Sequence, residues 1–505
     1  MSLRLDSKPK SNKFDTVELI PSANNYGKPS QRKKRDKKMM PSFTENPEAE
    51  KAASGDEPEL DEAGGGGTGR ADLTSAFSNS TAHGDTPVDA NEEEPRDDEL
   101  DEEEQGHHTA PKKFGTLDGV FGRCLLCMWG VIMFLRTGWI VGNAGVWQST
   151  LVMVLSASIT LFTTLSLSAI CTNGEISHGG PYFLISRSLG PNLGGVIGLL
   201  FAVGNCVGVS LHLVGFAEAI YSIYYPNSIM ANLDIQLYAE IGLIFLMLIA
   251  LRGVGSIIKF NLFLLFLMFV SIIAFFVGTF INNSAKEKVG YTGYSGKTFA
   301  ANWGPAYLDG YNFLTMVAIF FPSVTGCMAG ANISGDLKNP AVNIPVGTIW
   351  AVIFSMIVYL MIAWMLGACV ERQVLDDNGV PIDGAGLYYN YIIMSDISLW
   401  RPLVDMGIYA STFSSATSCF VAAPRIFKAV CDDGLFPIFS FFAVGRKSDG
   451  EPVRCYVLVL VICFLINISG NINFIAPLVT NFFLVTYALV NYSVFAWDIS
   501  KSPGW

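Results

Sequence analysis

"FPSVTGCMAGANISGD", residues 321–336, closes an apolar stretch that begins near Tyr311. The stretch is oily enough to cross a bilayer as a helix, yet a proline, three glycines and Thr325 sit in its middle. Proline and glycine free backbone amides and carbonyls inside a membrane helix, and each freed group is costly in lipid unless something satisfies it. An ion can do so. The amide end of a half-helix offers a positive dipole to an anion, while the carbonyl end of its partner half offers oxygens to a cation. A kink made only for packing is the alternative, and one interrupted helix does not separate the two readings.

A second interruption shifts the balance toward a site. "MWGVIMFLRTG" (128–138) breaks an earlier apolar run in the same manner. Working outward from the two breaks, hydrophobic runs of roughly 18 to 28 residues, each enough for a ~30 Å hydrocarbon core, predict ten spans. They lie at about 119–146, 149–173, 192–225, 237–252, 256–282, 309–335, 343–370, 401–431, 453–469 and 473–497. Spans one to five and six to ten then form two halves, each opening on a broken helix. Interrupted helices at equivalent positions point to an all-α, polytopic inverted-repeat transporter with its site at the bilayer midplane.

The rest of the chain is of another kind. Residues 1–112 are polar and rich in Gly, Ser and acidic side chains, with a basic run "QRKKRDKK" (31–38) and an acidic run "NEEEPRDDELDEEEQ" (91–105). Such a segment buries too little apolar surface to fold, which predicts a disordered tail. It reconciles a net charge of −11 with a 505-residue chain that is half hydrophobic and only 15% charged. With no N-terminal signal peptide ahead of so long a hydrophilic lead, the first span is expected to direct insertion. If the tail is cytoplasmic, the loops bearing Arg187, Arg252, Lys338 and the Arg446, Lys447, Arg454 cluster share its side, as the positive-inside rule asks. Asn282 of "NNS" is then an external glycosylation sequon, whereas the matches at Asn79 and Asn332 face the cytoplasm. The ten cysteines show no paired spacing in external loops, so no disulfide framework is implied, and the Cys124–Cys127 CxxC reads as helix packing. The sequence carries no phosphate loop, metal cluster or nucleophile–base pair, so no enzyme is expected.

Several stretches are similar to one family. "AIFFPSVTGCMAGANISGDLKNP", "GGPYFLISRSLGPNLGGVIGL", "NFFLVTYALVNYSVF" and the terminal "KSPGW" resemble the cation-chloride cotransporters of the amino acid-polyamine-organocation superfamily, over about residues 113–505. The resemblance implies a LeuT-like five-plus-five inverted repeat. It implies chloride on the amides of Gly130, Val131 and Ile132, and a second chloride on those of Gly326, Cys327 and Met328 with the Tyr487 hydroxyl. Sodium would sit on carbonyls of Leu126, Trp129 and Ser411 and the hydroxyls of Ser414 and Ser415. Read alone, "STFSSATS" (411–418) suits either hard oxygen ligands or close helix packing.

Potassium in the family is held at positions matching Cys127, Met128, Pro322 and Thr325, together with a tyrosine of the third span. Here His212 replaces that tyrosine, as in the family's thiazide-sensitive sodium-chloride branch. A protonated imidazole could stand in for the K⁺ charge, and a neutral, hydrogen-bonded histidine in a working K⁺ site is the alternative. Arg136 and Glu218 match a pair that helps close the family's outer gate, with a purely structural salt bridge as the alternative reading. The implied function is electroneutral, K⁺-independent Na⁺-Cl⁻ symport without a cofactor, with Na⁺-K⁺-2Cl⁻ symport, or a short non-transporting subunit of a full-length relative, as alternatives.

The family normally continues past "SPGW" (502–505) into two further spans and a C-terminal domain, so 498–505 is read as a truncated cytoplasmic end. The partners implied are membrane lipid, a second copy in the full-length form and kinases acting on the tail, with no nucleic acid. The implied location is the plasma membrane.

Overall fold

The computed structural model describes residues 114–172, 182, 186, 190–224, 233–252, 254–446 and 450–500. The tail, Arg187, Lys447 and the terminal residues 501–505 lie outside the described residues, as does Asn79.

A π-helical turn, Thr116–Phe121, leads into α1 (Gly122–Met128), which stops at Trp129 and Gly130 before α2 (Val131–Leu135). Helix α3 (Thr137–Thr172) carries the chain to one end of the bundle and back, because Gly145 adopts φ 69° and ψ 170° in its middle. The first two spans therefore meet at a single residue instead of a loop. Then follow α4 (Pro191–Tyr224), α5 (Asp234–Leu251) and α6 (Val254–Gly278). The sixth span is α7 (Phe313–Phe320) running into 3₁₀ helices at Phe321–Ala329 and Ala331–Asp336. The last four spans are α8 (Pro340–Cys369), α9 (Arg401–Asp432), α10 (Val453–Asn467) and α11 (Ile472–Ser500).

All ten expected spans are helical, within a few residues of the expected limits. Seven helical stretches among the described residues are long and apolar enough to cross a membrane by themselves. The shortfall has a separate cause in each remaining span. The sixth is interrupted, α10 has only 15 residues, and α9 is long but carries the serines and threonines of residues 411–418.

The pattern of burial is that of a protein solvated by lipid. On α5, Leu237, Ile241, Ile244, Phe245 and Leu248 recur at helical spacing and are all exposed, an arrangement that is favourable only in an apolar solvent. Polar side chains are turned inward instead. Ser411, Thr412, Ser414 and Ser415 on α9 are buried where that helix packs on α4, α6 and α1. The broken first span lies at the centre, with Met128, Trp129, Val131 and Ile132 at most 1% exposed. Trp129 wedges between Phe269 of α6 and Phe354 of α8, with ring centroids 4.9 and 5.7 Å away.

Lys338 donates its amide to the Phe114 carbonyl (2.9 Å), fixing the sixth-to-seventh connection at the end where the chain enters the bundle, here called the tail-side end. The far end is covered by residues 279–312 and 370–400. Gly145 is its hinge: Ala306 donates its amide to the Asn143 carbonyl (2.8 Å), so the strap at Trp303–Ala306 lies directly on the kink. A Cβ on Gly145 would sit 2.2 Å from the Gly304 oxygen, in a backbone region essentially reserved for glycine. Gly145→Ala is expected to destabilise the fold by about 3 kcal/mol or more through strain plus this backbone clash. Gly304→Ala, whose Cβ would enter open space, should leave the thermal unfolding midpoint of the detergent-solubilised protein close to wild type. Equal midpoints for the two variants would refute the assignment of the kink to Gly145.

Candidate ion-binding site

The site begins with the break in the first span. Trp129 has φ −85° and ψ 53°, and Gly130 is extended at φ −87°, ψ −160°. The carbonyls at the end of α1 and the amides at the start of α2 therefore leave the usual helical ladder beside one another. What satisfies them comes from distant elements. The Tyr359 hydroxyl of α8 donates to the Met128 carbonyl (2.8 Å), and the Ser415 hydroxyl of α9 donates to that of Leu126 (2.6 Å).

Ser411, Ser414 and Ser415 fall at i, i+3 and i+4, so they share one face of α9. All three are fully buried, and the Ser414 hydroxyl donates to the Ser411 carbonyl (3.1 Å). Leu126 and the three serines of the expected sodium set are thus gathered at one place, with Trp129 ending the helix beside them. Their donors are all oxygens, the ligand type for a small hard cation.

His212 of α4 faces the break. A Cβ added to Gly130 would lie 2.5 Å from His212 Cε1, 3.2 Å from its Nδ1 and 3.2 Å from Ser415 Oγ, so the absent side chain makes room for the imidazole. His212 is 7% exposed, and its Nδ1 has no hydrogen-bond partner among the described residues. Gly130, Val131 and Ile132, the first expected anion set, open α2 at the same spot.

The second expected anion set is arranged differently from a gap between half-helices. Gly326, Cys327 and Met328 lie within the nine-residue 3₁₀ helix Phe321–Ala329, whose i to i+3 pattern supplies amides with carbonyl partners from the chain itself. The interruption expected in the sixth helix is present and takes the form of a 3₁₀ segment, wound more tightly than an α-helix and not opened into a gap. Pro322 stands at the start of this segment, where its missing N–H costs least. The Tyr487 hydroxyl of α11 donates to the Thr325 carbonyl (2.7 Å) and lies 3.2 Å from Cys327 Sγ, so the tyrosine reaches the predicted residues. Thr325 turns its hydroxyl onto the Pro322 carbonyl (2.8 Å).

A cavity of about 60 Å³ lies between His212 and the 3₁₀ segment, lined by Cys127, His212, Thr325, Gly326, Met328 and Asn261 among others. Arg123 and Arg425 line it as well, and Arg425 pairs with Glu451. Arg136 Nη2 donates to both Glu218 oxygens at 2.8 and 2.9 Å, pairing the expected gate residues.

Tyr359, Asn261 and Asn473, each placed at the site or its closure, were missed in the sequence. Their only signal there is a polar group within or at the edge of an apolar run. Asn282 is exposed at the far end, hydrogen-bonded to Glu287 (3.3 Å), on the same end as the covering loops.

The amino acid permease family model matches residues 119–505. Solute carrier family 12 member 2 of Mus musculus is 40% identical over 422 residues, covering 78% of this chain and 35% of that protein. Member 1 of Homo sapiens is 39% identical over 437 residues (81% and 40%), and member 3 of Mus musculus 41% identical over 427 residues (78% and 42%). The chain thus spans less than half the length of these relatives. The chain belongs to the amino acid permease family, and the resemblance to cation-chloride cotransporters seen in its motifs is borne out by its match to solute carrier family 12.

Proposed function

We propose that this chain carries the ion pathway of a secondary active symporter that moves Na⁺ and Cl⁻ together, electroneutrally and without K⁺. The observation that carries the reading is the oxygen cluster at the first break, where Ser415 meets the Leu126 carbonyl while Ser414 meets that of Ser411. Carbonyls ending α1 offer a cation site, and amides opening α2 offer an anion site one residue further on. Both ions would therefore hold the same two-residue break in one geometry, and binding of either favours the other. That shared element is the source of coupling.

His212 supports the absence of a K⁺ requirement. Its buried Nδ1 faces the break, and an imidazolium there would need a counter-charge that the neighbouring anion site can supply. One observation favours Na⁺-K⁺-2Cl⁻ symport as the second reading: the Pro322 carbonyl and Thr325 hydroxyl remain together beside the cavity, and the Met128 carbonyl faces Tyr359 nearby. Basic residues Lys338, Arg446 and Arg454 in the tail-side connections support a cytoplasmic tail and an external far end.

Radioactive Na⁺ uptake into chloride-depleted cells expressing the chain, with external Cl⁻ and K⁺ removed in turn, is the direct test. Uptake is expected to need Cl⁻ but not K⁺; a requirement for both would establish the second reading. His212→Tyr should create K⁺-dependence or abolish transport, and unchanged, K⁺-independent uptake in this variant would count against the role of His212. Ser414→Ala and Ser415→Ala should each raise the KM for Na⁺ by about tenfold or more, the loss of one charge-assisted ligand. If both variants keep the wild-type KM, the sodium assignment is wrong.

A further inference from the structure

The pairing of Arg136 with Glu218 accounts for only part of what surrounds that guanidinium. Arg136 is 2% exposed and sits at the junction of α2 and α3. Its Nη2 is taken by Glu218 of α4, and its Nη1 donates to the Leu135 carbonyl (3.2 Å). Its Nε donates to Asn473 Oδ1 at 2.9 Å, at the start of α11 and 337 residues away. The face of the guanidinium lies 4.1 Å from the ring centroid of Tyr391, in the far-end segment between α8 and α9. Asn473 also reaches the Tyr311 hydroxyl (3.4 Å), and the Tyr311 ring stands edge-on to Trp139 of α3 at 4.9 Å.

Each contact uses a different property of arginine. The planar fork is satisfied edge by edge, and the π-face is covered by an aromatic ring. The ion pair by itself ties the first span only to the third. It leaves the guanidinium free to rotate about its last bond, and nothing in it reaches the sixth or tenth span. Asn473 fixes that rotation by holding Nε, which turns Nη2 toward Glu218 and the flat face of the guanidinium toward the Tyr391 ring. Tyr391 is itself anchored, because its neighbour Asn390 donates to Asp396 (2.8 Å), which pairs with Arg401 at 3.2 Å. Burial holds the Asp396 carboxyl above its usual range, while Asn390 and then Arg401 act in the opposite sense.

We propose that Asn473 and Tyr391 are positioning residues for Arg136, and that the far-end closure is one latch joining the first, third and tenth spans to the 386–397 segment. The inference rests on the far end being a gate in the proposed function. Its test requires no ion flux, so a chain that fails to transport would still report on the latch.

Hydrogen–deuterium exchange of the full chain in lipid nanodiscs, followed by mass spectrometry, reads closure directly. Asn473→Ala should speed exchange about tenfold in peptides covering 131–144 and 311–320, the effect of losing one hydrogen bond to a charged group. Peptides covering 116–128 and 340–350 at the tail-side end should keep their wild-type rates. Tyr391→Leu should reproduce the effect and Tyr391→Phe, which keeps the ring, should not. Asn473→Asp, which retains the acceptor, should exchange no faster than wild type and serves if the alanine variant does not fold. Because all act through one guanidinium, Asn473→Ala added to Glu218→Gln should exchange no faster than Glu218→Gln alone. Wild-type rates in Asn473→Ala, acceleration spread over both ends, or additive effects in the double variant would each overturn the proposal.

Discussion

Every peptide group in the hydrocarbon layer must find a partner, and this requirement governs the centre of the molecule. In the first span the chain stops being helical for two residues, and the abandoned carbonyls of Leu126 and Met128 are met by hydroxyls from the eighth and seventh spans. In the sixth span the chain stays wound but tightens to 3₁₀, so its own carbonyls do the work. The two breaks are equivalent in sequence and unlike in solution. The first leaves its carbonyls to side chains from elsewhere, which makes it a place where ligands can compete for them; the second pairs its amides within its own turns and takes an outside hydroxyl, Tyr487, on the Thr325 carbonyl.

The surrounding helices are selected by that demand. Helix α9 is the least apolar of the long spans because its serines and threonines face inward, where they supply donors to the break and to their own turns. Such a face is affordable because its partners are fixed: Trp129 is clamped by two phenylalanines, and Gly130 yields its side-chain space to His212. Packing and chemistry here are carried by the same few residues, so the core of the fold is also the candidate site.

Much of this was legible in the sequence, for physical reasons. Apolar runs of membrane length declare spans, and the interruption at Gly130 stands out against its oily neighbours. The run of hydroxyls at 411–418 stood out as suited to hard oxygen ligands or to close helix packing, and the sequence did not choose between the two. Most individual ligand assignments came through resemblance rather than spacing. The form of the sixth-span break was not legible, since proline and glycine disfavour an α-helix without choosing between an unwound gap and a 3₁₀ turn. That choice depends on tertiary partners such as Tyr487. Asn473 and Tyr391 were invisible because their partner Arg136 is remote in the chain, and single polar residues at span edges are common.

The 3₁₀ segment at Phe321–Ala329 has a mechanical meaning as well. A 3₁₀ helix rises about 2.0 Å per residue and an α-helix about 1.5 Å, so rewinding these nine residues would shorten the sixth span by about 4.5 Å. The sixth span thus reaches about 4.5 Å further across the bilayer than nine α-helical residues would carry it.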